Sequence, residues 1–494
     1  NLRMSLIFSI FVYNSRLLNS INNMNMTEKN RHLKNSLKNA TAKLMRRDEK
    51  IAQLEAKIAQ QSEELRKCQC PTCGFKFPEY ATTIPGHQFS EFVVRYALSL
   101  RSKTNCSSRD IVKVIRILAE LTTGLVDEVP SYNTVDNWVR KCGLDEIKNV
   151  PQAFKGKEYA AVVDECMMIG SEKLLPVIAV PAEHQGRPLR LCDAKVVEFF
   201  VKSGWTAQTV SDSLKATADK MGKSPLYLIS DNDGKMRKAA EMSSYVWHRD
   251  ISHTLAMFME REYKADSEFL DFNNKMATCK KQNCMKEIAF LQSPSQRVKA
   301  RFMNLSDCIT WADKMLEIYH TLNEQERNVF SFLPQYSSFI DEMQQMVSCI
   351  HEIELKMKHY GLSKGTVSVC KQHVCRTVMC GNERMRRVGQ QILDYLKEED
   401  QRLKEGEAVN NSSDIIESAF GIFKYNQSPN KMNGVTTLIL HLPLKFAFAE
   451  ESAANNYNVK ERLCKNKVRD ITLWRNENLM ESQVVKRIKT LKSA

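Results

Sequence analysis

The apolar rhythm of this chain changes at Tyr159, and that change fixes the class of fold. From there, apolar residues come as short runs, YAAVVDECMMIG, KLLPVIAVPAE and LCDAKVVEFFV, divided by polar or Gly/Pro-containing turns. Such runs read as three consecutive strands. TAQTVSDSLKATADKMG then has helical spacing, PLYLISD is a short strand, NDGKMRKAAEM is helical, and SYVWHRD is again a strand. The expected order is β-β-β-α-β-α-β, an α/β unit. Asp164 stands inside the first run, with AVV before it and CMMI just past Glu165. A carboxylate left unpaired among such neighbours is expensive, so a ligand or a partner is expected. Asp231 closes the fourth strand, and if those strands are neighbours the two acids converge from 67 positions apart, beginning a hard-oxygen site for a divalent cation. SSDIIESAFGIFKYN offers a third acid, Glu417, on a helix, with Lys424 seven positions later on the same face. Each has an ordinary alternative: a satisfied strand charge for Asp164, the opening of the Ser-Asp-Asn-Asp-Gly turn for Asp231, a surface helix charge for Glu417. Asp233 and Asp414 compete for the same roles.

Upstream, a seven-residue repeat runs from Leu37 through Leu44, Ile51, Ile58 and Leu65, with a partly apolar companion row at Leu33, Ala40, Arg47, Leu54 and Gln61. Residues 26–67 are expected to form one coiled-coil-like helix, which either self-associates or rests on its own protein. In the linker 68–87, Cys68, Cys70 and Cys73 are grouped as thiolates that ligate zinc are, but no second knuckle follows. A structural Zn2+ there would borrow its fourth ligand, and a turn with buried thiols is the default. Residues 88–144, within a domain expected over 88–150, read as three helices. Ser107 with Asp110 resembles a capping box, Ser131 or Asn133 can cap the third helix, and Gly143 suits a left-handed stop after Arg140 and Lys141. The pattern is that of a helix-turn-helix, whose last helix would offer Tyr132, Asn133, Asp136, Asn137 and Arg140 to a DNA groove, or of a plain three-helix bundle.

An acid in the first strand, an acid after the fourth, and a later helical Glu with a Lys seven residues on together resemble the DDE transposases. A second element agrees: Asp250-Ile-Ser-His253, directly after the fifth strand, is similar to the Asp/Cys-x-x-His element of the Mutator-like and hAT groups, which carry a helical insertion before the final Glu. Residues 254–410 contain only two prolines, Pro294 and Pro334, and long helical spacing, which fits an all-α insertion. The resemblance covers roughly residues 88–450. It implies a ribonuclease H-like mixed sheet with a large all-α insertion, preceded by the long N-terminal helix and the helix-turn-helix. The catalytic domain would comprise residues 155–253 and 411–450. The resemblance further implies Asp164, Asp231 and Glu417 as catalytic ligands of Mg2+ (or Mn2+), Lys424 on DNA phosphate, and metal-dependent cleavage and transfer of element ends. Asp250 and His253 would brace the site or contact an unpaired base, unless Asp250 is simply a helix cap. The 186 positions between Asp231 and Glu417 depend on the insertion.

Composition agrees with a nucleic-acid partner. Lys and Arg exceed Asp and Glu by 72 to 58, a formal +14 that favours a polyanionic partner without naming which one, a plain basic enzyme being the alternative; double-stranded DNA is the partner the resemblance implies. The tail 451–494 is expected to be helical and basic, and Arg297, Lys299, Arg301 and Lys431 are candidates for a DNA channel or a solvated face. Fifteen scattered cysteines fit a reducing compartment better than a disulfide framework. The run MSLIFSIFVY is too short to span a bilayer, and residues 1–25 are expected to be an upstream extension, with Met24 or Met26 as the start. The expected setting is the cytoplasm, at the nucleoid in a bacterium, or the nucleus in a eukaryote, with the protein acting as a homo-oligomer. The rival readings are a transposase-derived DNA-binding protein that performs no chemistry and a ribonuclease H-like nuclease without strand transfer.

Overall fold

The computed structural model describes residues 26–67, 83–122, 125–126, 128–295, 302, 305–425, 430–450 and 452–493. The candidate zinc ligands Cys68, Cys70 and Cys73, and the basic residues Arg297, Lys299 and Arg301, lie outside them. The chain divides into two compact units, Asn1–Phe92 and Val93–Ala494. In the first, helix α1 (Met26–Lys67) is a single 42-residue helix, as the heptad pattern predicts.

The second unit begins with three helices, α2 (Glu91–Lys103, which starts just before the division), α3 (Ser108–Leu121) and α4 (Tyr132–Ala153). Ser107 and Ser131 accept the backbone N–H groups of Asp110 and Thr134, capping α3 and α4 as their side chains allow. The expected stop at Gly143 is overturned. Helix α4 runs on to Ala153, and Gly143 is needed for a different reason: a β-carbon there would collide with the Leu440 carbonyl oxygen. Glycine thus admits a close approach of the C-terminal segment. It does not supply a left-handed turn.

The sheet contains β1 (Tyr159–Val163), β2 (Cys166–Ile169), β3 (Glu172–Pro181), β4 (Lys195–Lys202), β5 (Tyr227–Ser230) and β6 (Val246–Arg249). Helices α5 (Ala207–Met221) and α6 (Gly234–Met242) connect its later strands. The run predicted as one strand from Tyr159 is two, β1 and β2, interrupted at Asp164 and Glu165; both pair with β3 antiparallel. β4 pairs with β3, also antiparallel, while β1, β5 and β6 are parallel neighbours. One face of the sheet packs Val162, Ile178, Val196 and Ile229 into the main core, and the other packs Val163, Val177 and Leu228 against α5 and α6. This alternation is the period-two pattern of a sheet covered on both sides.

Between the sheet and the last segment lie α7 (Ile251–Tyr263), α8 (Ser267–Asn283), α9 (Leu305–Ile318), α10 (Glu324–Val329), α11 (Ser337–Tyr360), α12 (Lys364–Arg376) and α13 (Glu383–Arg402). The segment is helical where described, apart from short 3-10 turns and two single bridges made by Val409. Arg384 joins three of these helices and their caps, meeting Asp266, Glu268 and Glu342 at 3.0, 2.9 and 2.8 Å. The fully buried Glu399 takes His248 of β6 at 2.7 Å and Arg402 at 2.6 Å, so the helical segment is bolted to the sheet edge. Helix α14 (Asp414–Tyr425) follows, and then α15 (His441–Ala447), α16 (Ala453–Asn456), α17 (Val459–Lys465), α18 (Val468–Asn478) and α19 (Gln483–Ser493). The tail is helical, yet part of it is structural. Arg462 pairs with Asp145 of α4 at 2.8 Å, and the Trp474 indole donates to Glu198 of β4 at 3.3 Å. Among the described residues the cysteines are free thiols, and no helix is long and apolar enough to cross a membrane.

Candidate active site

The strand register brings three acids into one row. Val162 of β1 lies opposite Ile229 of β5, and Ser230 lies opposite Arg249 of β6. Two residues past the first pair stand Asp164 and Asp231; one past the second stand Asp231 and Asp250. All three sit at the carboxyl ends of adjacent parallel strands, the edge where α/β sheets place their ligands. Asp250 is fully buried and serves both its neighbours. One of its oxygens accepts the His253 backbone N–H at 2.7 Å, capping α7, and the His253 Nδ1 at 2.9 Å. The other accepts the backbone N–H and hydroxyl of Ser413 at 2.6 and 2.9 Å. Ser413 immediately precedes α14, so Asp250 ties the Glu417 helix to the sheet. His253 Nε2 in turn lies 3.8 Å from Glu417 Oε1.

The charges of this cluster are unbalanced. Burial pushes the Asp164 carboxyl up to about 7, reinforced by Asp231, Glu417 and Asp250 and opposed by His253. Burial also raises Asp231, with Asp233 and Asp250 adding to it. The hydrogen bond to Asp250 lifts His253 to about 9, with Glu417 and Asp231 contributing, so the imidazole is a cation at neutral pH. Burial alone would raise Asp250, but the bonds from His253 and Ser413 outweigh it and hold the group below the ordinary carboxylate range.

Lysine pairing separates these acids from their competitors. Glu165 is held between Lys173, at 2.5 Å, and Lys235. Asp233 caps α6 by accepting the Lys235 backbone N–H at 2.8 Å, and its other oxygen meets the Lys235 Nζ at 3.1 Å. Asp414 is paired with Lys358 of α11 at 2.7 Å. Among the described residues, by contrast, neither a hydrogen-bond donor nor a Lys or Arg engages the Asp164 carboxylate. Asp231 accepts the Asp233 backbone N–H at 3.2 Å. Half-exposed Glu417 has His253 as its cationic neighbour.

Asp164 and Glu417 open into a cleft of about 780 Å³ whose far wall is Val347, Ile350, His351, Glu354 and Lys358 of α11, with Lys424 at the α14 side. Lys424 is exposed. Burial raises Glu354, opposed by Lys358 and by a hydrogen bond with Ser252. The donor types are those a hard divalent cation takes: carboxylate oxygens from two strand ends and one helix, with one imidazole against several acids. Among the described residues no group of three or more His, Cys, Asp or Glu lies close enough together to hold a metal ion.

The helix-turn-helix residues divide. Tyr132 and Asn133 are exposed and Asn137 and Arg140 half-buried on α4. Asp136, expected at a groove, is turned to internal use: its carboxylate accepts the Ser108 hydroxyl at 2.5 Å and meets Arg140 at 3.6 Å. Lys431 is exposed. Sequence reading missed Ser413, Glu354 and Lys358, and the lysines that neutralise Glu165 and Asp414. The Ser-Ser-Asp run at the start of α14, a usual helix-entry pattern, was the available signal for Ser413. Compared with known proteins, the chain matches no family model, and no curated protein is significantly similar to it.

Proposed function

We propose that the protein is a DDE-type transposase with a ribonuclease H-like catalytic domain, binding double-stranded DNA and performing metal-dependent strand cleavage and transfer. The observation that carries this reading is the contrast in pairing: among the described residues Asp164 and Glu417, which line one cleft, and Asp231, at the next strand end, have no Lys or Arg partner, while Glu165, Asp233 and Asp414 each have a lysine. The strand order, with β1, β2 and β4 antiparallel to β3 and with β5 and β6 added parallel to β1, supports the ribonuclease H-like assignment. Asp164, Asp231 and Glu417 would hold Mg2+ or Mn2+, which when bound activates an attacking water or 3′-hydroxyl and stabilises the departing oxygen. The chain's own residues do the rest. Asp250 fixes the Glu417 helix relative to the strand ends, and His253 keeps a positive charge beside Glu417. Lys424, at the mouth of the cleft, takes a DNA phosphate; Asn133, Asn137 and Arg140 on α4 contact the element end.

The test compares nicking of DNA carrying the element ends, with Mg2+ or Mn2+, by wild type and by Asp164→Asn, Asp231→Asn and Glu417→Gln. Loss of nicking with DNA binding retained is expected for all three, and Glu165→Gln should keep measurable nicking. Unchanged nicking in the three variants would overturn the assignment. Nicking without joining to a second duplex would leave a nuclease.

A further inference from the structure

Within its own unit helix α1 carries an exposed apolar face: Leu33, Leu37, Leu44, Ile51, Leu54 and Ile58 are each 45% to 70% exposed. An exposed row of this length on a 42-residue helix needs a partner, and the charges beside it say which. With Leu37, Leu44, Ile51 and Ile58 as one core row and Leu33, Ala40, Arg47, Leu54 and Gln61 as the other, Lys43 and Lys50 flank the first row on one side. Asp48 and Glu55 flank the second row on the other. In a parallel pair, each flanking position of the first kind faces the residue five places later on the second helix. Lys43 then meets Asp48 of the second copy, and Lys50 meets its Glu55. An antiparallel pair would set lysine against lysine and acid against acid. In register the Lys43–Asp48 and Lys50–Glu55 pairs each form twice, four per dimer, against three Lys–acid pairs after a slip of one heptad, so the charges favour the in-register pair.

We propose that α1 pairs with α1 of a second copy as a parallel, in-register, two-stranded coiled coil, so that both chains leave the coil at the same end. This rests on the apolar row and its flanking charges, and not on the acids of the cleft. Sedimentation equilibrium of the full chain tests it. Lys50 is on the surface, so Lys50→Glu leaves the fold intact while setting acid against Glu55 twice per dimer. The dimer dissociation constant should rise about tenfold at low salt, given the modest worth of each exposed pair. Lys50→Glu combined with Glu55→Lys should restore it to within about twofold. Ile51→Asp should give monomers. Tighter association of the Lys50→Glu chain would mean an antiparallel pair, an unchanged constant would mean that α1 is not the interface, and a monomeric wild type would mean that no such pair forms; each overturns the proposal.

Discussion

Replacing Asp164 by Asn tests whether this carboxylate is held for a cation. An aspartate has an ordinary value of 3.8, and in this fold burial and the neighbouring acids push Asp164 up to about 7. A group whose folded value is raised binds its proton more tightly in the native than in the unfolded state. Its ionisation therefore costs stability, beginning as the pH rises past the unfolded value and complete above the folded one. At ~1.4 kcal/mol per pH unit the full penalty is roughly 4 kcal/mol, and water entering the half-open cleft reduces the expected figure to about 2 kcal/mol. Asp164→Asn removes the charge and keeps the shape. In the presence of a chelator at about pH 8, the variant should therefore be more stable than wild type by about 2 kcal/mol, and the advantage should vanish below about pH 4. Adding Mn2+ should reverse the order, raising the urea midpoint of wild type through mass action and leaving that of the variant nearly unchanged. A variant less stable than wild type in chelator would show that Asp164 has a stabilising partner in the fold. An equal Mn2+ response in both proteins would show that this carboxylate holds no cation.

Two further changes probe the supports of the site. His253 is lifted from 6.5 to about 9 by Asp250, so its ion pair contributes in full below the unfolded value and is lost as the pH rises through the folded one. Wild type should lose about 2 kcal/mol between about pH 6 and pH 9.5 from this group, and His253→Gln should show a flatter profile in urea unfolding; parallel profiles would dissolve the pair. Gly143→Ala should destabilise the second unit by about 1–3 kcal/mol, because the new methyl strikes the Leu440 carbonyl. Were that approach absent, alanine in mid-helix would stabilise by about 1 kcal/mol, so the sign of the change in the urea midpoint decides.

The strand order and its acids were legible because they depend on local rhythm. An apolar run broken by Asp164, and a short strand ending at Asp231, can be seen in a dozen residues each. Their meeting followed from a register that needed only β1 and β5 to be neighbours. What the sequence concealed is whatever a distant segment decides. Gly143 carries every mark of a helix stop and is instead a contact surface for Leu440, almost 300 positions away. Asp136 has the spacing of a groove contact and is drawn inward by Ser108. Glu165 and Asp414 resemble ligands as closely as Asp164 and Glu417 do in one dimension, and differ only in the lysines that the fold brings to them from β3, α6 and α11. The α1 heptads were legible as a helix, whereas a pairing mode would be decided by charges that act only across two chains.

The long helical segment between Asp250 and Ser413 has a physical reason to be folded in its own right. The hydrogen bonds between these residues close a loop of 163 positions and thereby seat the helix that carries Glu417. For a flexible chain, closure costs only about 0.6 kcal/mol more per doubling of length, so growing a 20-residue connection to this size would cost roughly 2 kcal/mol. Entropy of closure thus tolerates an insertion here; holding the Glu417 helix in one place against the strand ends does not tolerate a slack one. The segment meets that requirement by being anchored at the sheet and around α14. Glu399 grips His248 on β6, Lys358 grips Asp414 one helical turn before Glu417, and Arg384 locks the helices between them. Glu417 therefore takes its position from the helical segment as much as from the sheet. A break at Glu399, which does not line the cleft, should therefore act on it through the helices between.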